Sequence, residues 1–191
     1  MSIRSFLRTV LFLLILFMFS CSIKYFPIES KNITVSEGHA ILNTKDYVFA
    51  VKNKYWVKDP QDLTDYFTTF YISFKNKTNK KVNINSSDIN LLDETGNQYD
   101  VVLTEDVLNL LIPEEIAYEQ FTTITQEEEQ IYNEWRDAKN NLMSDTFNFG
   151  MVLSGAKKSG FIFFPKLPSK NKKCEIIFKD HSIEFDRTDK K

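Results

Sequence analysis

The stretch Asp65–Asn76, DYFTTFYISFKN, constrains the fold more than any other part of the chain. Tyr66, Thr68, Phe70, Ile72 and Phe74 fall on one face of it, and Thr69, Tyr71, Ser73 and Lys75 on the other. Period two belongs to a strand, because successive side chains leave a pleated backbone on opposite sides. The segment therefore predicts a strand with Phe70, Ile72 and Phe74 in a core. Similar segments flank it. His39–Asn43 and Tyr47–Val57 come before, the second rich in Val, Phe, Tyr and Trp. After it, Lys81–Asn85 turns Val82 and Ile84 inward, Asp88–Asp93 does so with Ile89 and Leu91, and Gln98–Leu103 with Tyr99, Val101 and Leu103. Gly160–Pro165, Cys174–Lys179 and Ser182–Asp186 close the series. Turn chemistry separates these segments at Asn76–Lys80 and at Asp93–Asn97, where Gly96 tolerates positive φ. Seven or so short strands with turns between them predict a mainly β fold, an antiparallel β-sandwich.

The period changes between about residues 104 and 146. Thr104–Leu111 reads as a short helix capped by Thr104 and stopped before Pro113. Thr125-x-x-Glu128 has the form of a capping box, and Glu127 to Glu129 suit the positive end of a helix dipole. Ile131, Trp135, Ala138 and Leu142 then recur at helical spacing, which predicts a helix over about 126–143. The segment reads as a helical insertion in one inter-strand connection. Its apolar stripe has two uses: packing the helix onto the sandwich, or, with Tyr118, Phe121, Tyr132 and Trp135, forming a partner-binding surface. Tyr and Trp are frequent anchors in such surfaces.

At the other end, Arg4 and Arg8 precede an unbroken apolar run, Val10–Phe19. That run is far below the ~20 residues needed to span a bilayer and suits a signal peptide over residues 1–20. The competing reading is an uncleaved single-span anchor. Ser20-Cys21 stands where a cleavage site belongs, and the thiol of Cys21 can carry a thioether-linked lipid. In residues 1–21 the chain resembles bacterial lipoprotein precursors, whose signal closes in an invariant Cys. The resemblance implies lipid attachment at Cys21; otherwise Cys21 is the last apolar residue of an ordinary signal. It also implies, since Ser22 is not the Asp that often retains lipoproteins in the inner membrane, the outer membrane of a two-membrane cell. Residues 21–36 are then expected to be a tether and 37–191 the domain.

A second resemblance covers roughly residues 60–103 and 150–180. The segment 71–102, with Leu91, Asp93, Gly96 and Tyr99 in Leu-x-Asp-x-x-Gly-x-x-Tyr order, resembles an immunoglobulin-like domain of secreted bacterial lipoproteins and a mycobacterial secreted antigen. Ser159–Pro165 resembles the Gly-led strand of that family. The resemblance implies an immunoglobulin-like β-sandwich and an exported location. It implies no catalytic site.

The sequence offers few groups arranged for chemistry. The two histidines are His39, in an expected strand, and His181, in an expected turn beside Asp180. No Cys or His pair has metal-ligand spacing, and there is no Gly-x-Ser-x-Gly elbow or phosphate-cradling loop. The Asp93–Asn97 turn lacks the residue order of a calcium loop, and Glu127–Glu129 is explained by the helix dipole. Cys174 heads the run CEIIF and reads as a small core residue. Asn32 and Asn76 match the glycosylation acceptor pattern by chance. Loss of residues 1–20 takes the formal charge from −2 to −4, with no basic cluster in the sequence to suggest nucleic acid. The expectation is a non-catalytic envelope protein without cofactor or metal, binding an envelope protein partner. An accessory subunit of an export, pilus or efflux assembly is the second reading, and an envelope hydrolase the third.

Overall fold

Strand-forming segments dominate the computed structural model, which describes residues 24–60, 63–113 and 126–187, except for the side chains of Glu127 and Glu128. One five-stranded sheet runs in the order β1 (Tyr25–Pro27), β12 (His181–Arg187), β11 (Lys173–Phe178), β7 (Ile89–Asp93) and β8 (Gln98–Asp100). The second, also of five strands, runs β10 (Lys157–Pro165), β5 (Phe67–Asn76), β4 (Tyr47–Asn53), β3 (His39–Asn43) and β2 (Ile33–Ser36). A small pair, β6 (Val82–Ile84) with β9 (Gly150–Val152), stands beside them. Every pairing between these strands is antiparallel.

The alternation read from the sequence sets the core. Phe70, Ile72 and Phe74 are fully buried, as are Ile89, Leu91, Ile176, Phe178, Ile183 and Phe185 from the other sheet. The sheets meet through their rings: Phe49 stacks on Phe178 at 4.0 Å between centroids, and Phe70 meets Phe185 edge-on at 5.2 Å. Each such side chain contributes about 1.5–3 kcal/mol over an exposed one. Apolar faces of this kind have to be covered, and sheet on sheet is one of few ways to do it.

β10 shows why a further layer forms. Ile162 and Phe164 join the main core, whereas Phe161 and Phe163, on the opposite face, are buried as well. An unbroken apolar run marks a strand covered on both sides. The cover here is a second cluster of Trp56, Leu63, Phe67, Val107 and Leu142 around those two rings. Leu63 comes from α1 (Leu63–Tyr66), Val107 from α2 (Thr104–Leu111) and Leu142 from α3 (Gln126–Asp145), while Trp56 follows β4 and Phe67 opens β5. The chain leaves α3 directly across β10. A Cβ built on Gly160 would stand 2.4 Å from the Phe147 nitrogen and 2.5 Å from the Thr146 carbonyl carbon, so only glycine permits this crossing. The Phe147 amide donates to the Phe161 carbonyl at 2.8 Å there.

Several expectations need correction. Residues 24–36 are not a tether. β1 pairs with β12, Tyr25 is buried in the main core, and β2 pairs with β3, so the domain begins before residue 37. The tether expected over 21–36 reaches the described residues only from Lys24 onward. Asp65 and Tyr66 belong to α1, with Tyr66 exposed, and β5 starts at Phe67. β4 ends at Asn53 instead of residue 57, because the Asn53 side chain turns to bind the Tyr25 amide and the Thr69 carbonyl. Leu103 is exposed instead of inward: β8 ends at Asp100, and Val102 swings to bridge Phe163 of the other sheet. Leu103, not Thr104, holds the capping position of α2, and the Thr104 hydroxyl pairs with that of Thr146 at 3.0 Å. The Thr125–Glu128 capping box lies outside what is described. No helix among the described residues is long and apolar enough to cross a membrane, and Val10–Phe19 lies outside them.

Candidate functional site

The signature residues of the sequence are structural. Asp93 sits at the end of β7, where its carboxylate accepts from the Thr95 and Asn97 amides, the Thr95 hydroxyl, the Asn97 amide side chain and the Tyr99 hydroxyl, all within 3.1 Å. Burial raises its pKa, but the hydrogen bonds from Thr95 and Asn97 outweigh it and hold the carboxyl well below the usual range. Gly96, at φ +85°, closes the turn. Asn76, fully buried, donates to the carbonyls of Lys80, Val152 and Leu153 and accepts from the Thr78 amide and hydroxyl. Asn171 joins Lys173, Glu94 and Tyr25. A buried amide or carboxylate must satisfy its lone pairs and protons, and each of these does so on backbone, on its own turn or, for Asp93 and Asn171, also on a tyrosine hydroxyl.

The titratable groups stand apart. His39 is on β3 and His181 on β12, in different sheets. Burial, and then the Lys52 ammonium, lower the pKa of His39. His181 is the first residue of β12, just past the Lys179–Asp180 turn. Cys174 is 2% exposed, and burial pushes its thiol up to about 12, so it is an inert core residue in the described structure. Among the described residues no three His, Cys, Asp or Glu side chains come together as metal ligands.

Of the expected partner-binding residues, Tyr132 and Trp135 lie on α3. Ala138 and Leu142 are buried and dock α3, while Ile131 and Trp135 are only half-buried. Trp135 lines a 580 Å³ groove with Leu111, Ile131 and Ala138 at the junction with Asp59 and Pro60. Tyr132, one turn before it, is exposed. Tyr118 and Phe121 lie outside the described residues, as does Cys21.

A second cleft, of 340 Å³, was not legible from the sequence. Leu103, Leu108, Met143, Phe149, Phe161 and Phe163 line it, where the ends of the helical segment meet β10. Leu103 is 43% and Met143 64% exposed, which leaves its rim apolar. The period of α3 places Met143 off the core stripe, and a lone exposed apolar residue carries no signal of its own.

Comparison with known proteins adds no function. No family model matches the chain, and no curated protein matches it. Among solved structures, one described as a functionally unknown protein from Listeria monocytogenes EGD-e is similar at 12% identity, covering 82% of this chain and 71% of that chain. Its TM-score of 0.32 is too low for the likeness to carry an argument.

Proposed function

We propose that the protein is a lipid-anchored envelope protein, an immunoglobulin-like sandwich held at a membrane through Cys21 and acting as a non-catalytic binding or structural module. The observation that carries the binding role is the seam of the helical layer. It leaves an apolar-rimmed cleft with Leu103 and Met143 open to solvent, whereas the buried amides and the Asp93 carboxylate are committed to the protein's own scaffold. Concave apolar sites of this size are where ligands and partner side chains are held.

The connectivity supports the immunoglobulin-like reading. β5 and β10 pair in one sheet, the chain crosses after each, and β7 and β11 pair in the other. With β12 and β8 flanking, the order β8-β7-β11-β12 corresponds to the C′-C-F-G sheet of such domains. On this reading the helices are an insertion between β8 and β9. The second reading, an accessory subunit docking through its helices, is favoured by the Trp135 groove and by charge: residues 104–145 carry eleven acidic side chains against two basic, Arg136 and Lys139.

Mass spectrometry of the protein from its native membrane tests the anchor. A diacylglyceryl group on Cys21 as the first residue is expected; an intact residue 1–20 segment or an unmodified Cys21 overturns it. A photo-crosslinker at Met143 tests the seam in the same cells. A discrete adduct there and none at exposed Asn79, at the far end of β5, supports binding at the seam; adducts at neither position overturn it. A partner that stays with one assembly through purification favours the accessory-subunit reading.

A further inference from the structure

At the start of β1, Lys24, Phe26, Glu37, Lys52, Lys54 and Val57 line a 310 Å³ groove together with Tyr25, Asn53 and Tyr55. Among the described residues none of its three ammonium groups has a carboxylate within ion-pair distance, and Glu37 is the one acidic residue lining it. Lys24 lies over the Phe26 ring at 5.5 Å, and Lys54 over the rings of Tyr71 and Phe161, each at 4.9 Å. Ring faces orient a cation without cancelling its charge. Val57, beside them, is 79% exposed, the most open large apolar side chain among the described residues. Lysines around an exposed aliphatic group match a bilayer interface, with anionic headgroups for the ammoniums and the upper acyl region for the side chain.

Chain length brings the two together. Lys24 is three residues from Cys21, a reach of at most roughly 10–11 Å for any conformation. If Cys21 carries lipid, Lys24 on the lining of this groove lies within about one Debye length of the headgroups at about 0.1 M salt. We infer that the groove formed by Lys24, Lys52, Lys54 and Val57 rests on the membrane and binds anionic phospholipid headgroups, so that the anchored domain has a fixed orientation. The inference rests on the lipid-anchor reading above. It also places the Asn76–Lys80 turn, at the other end of β5 from Phe67, away from the bilayer.

The test uses the full lipidated protein, with acylation of Cys21 verified by mass, in vesicles of phosphatidylcholine alone or mixed with phosphatidylglycerol. An environment-sensitive fluorophore is placed by Val57→Cys or, as the distal control, by Asn79→Cys; acylated Cys21 and buried Cys174 leave one labelling site. The expected result is quenching by brominated lipid at position 57 on anionic vesicles, little at 79, and loss of the position-57 quenching in Lys24→Glu/Lys52→Glu. Equal quenching at 57 on neutral and anionic vesicles overturns headgroup recognition. Equal quenching at 57 and 79, with Cys21 acylated, overturns the fixed orientation while leaving the anchor intact. An unacylated Cys21 in protein from native membranes overturns anchor and inference together. Circular dichroism of the charge-reversed variant separates misfolding from lost binding, and an intact spectrum with undiminished quenching also overturns the inference.

Discussion

Phe70 and Phe161 lie on paired strands, yet they belong to clusters of different character. Phe70 points between the two sheets, where rings from both sides interlock and the residues around it are fully buried. Phe161 points the other way, beneath Trp56 and the helices, in a cluster bordered by clefts and by exposed Leu103 and Met143. Two twisted sheets present matching surfaces along their length, so that core closes. Helices of eight and twenty residues cover part of one face and stop, and the seam stays open. The sheet core is closed throughout, while the helical layer leaves apolar surface open.

The largest effect should come from the closed core. Phe70→Ala should cost about 3–5 kcal/mol in urea unfolding, because the sheets on either side cannot collapse into the space it leaves. A loss below about 1 kcal/mol would break the comparison. Gly160→Ala comes next, since its new methyl meets the backbone of Thr146 and Phe147, not a side chain that can move. We expect about 1–3 kcal/mol. Hydrogen exchange should show the loss first in α3, whose exit lies on β10 at this point.

Acid should act on a smaller scale, at the Asp93 turn. The folded-state pKa of Asp93 is depressed, so its stabilising contribution is fully present above the unfolded value of about 3.9 and is lost as pH falls through the folded-state value. Asp93→Asn should flatten that part of the acid-unfolding curve; an unchanged curve would remove Asp93 as the acid-sensitive clasp. The smallest effect belongs to Trp135. Half-buried in an open groove, it should cost less than about 1 kcal/mol when replaced by Ala, while weakening any partner that docks there. A loss comparable to that of Phe70→Ala would show the helical layer to be as closed as the sheets.

Much of the sheet framework was legible. β3, β5, β6, β7, β10, β11 and β12 lie within or beside the segments expected from alternation, and both long helices fall close to their expected bounds. The strands missed are β1, β2 and β9. β1, β2 and β9 are three or four residues long, and unlike β6 they are not embedded in a longer alternating segment; one of them contains Pro27. For β1 and β9 the partner strand, β12 or β6, is distant in the chain, and Tyr25 is held from afar by Asn53 and Asn171. The candidate site was legible only as a stripe carrying Trp135 and Tyr132, while the Leu103–Met143 cleft depends on where two segments forty residues apart come to rest.

Side-chain periodicity is local, so the chain carries within short stretches the information that sets strand faces, turns at Asp93–Asn97 and the double-sided burial of GFIFFP. Which strands pair, which face the helices cover, and how Lys24, Lys52 and Lys54 converge at one groove depend on contacts between residues far apart in sequence. Those contacts form only when the sheets pack, because an edge strand or an unpaired lysine gains its environment from its neighbours and not from its own sequence.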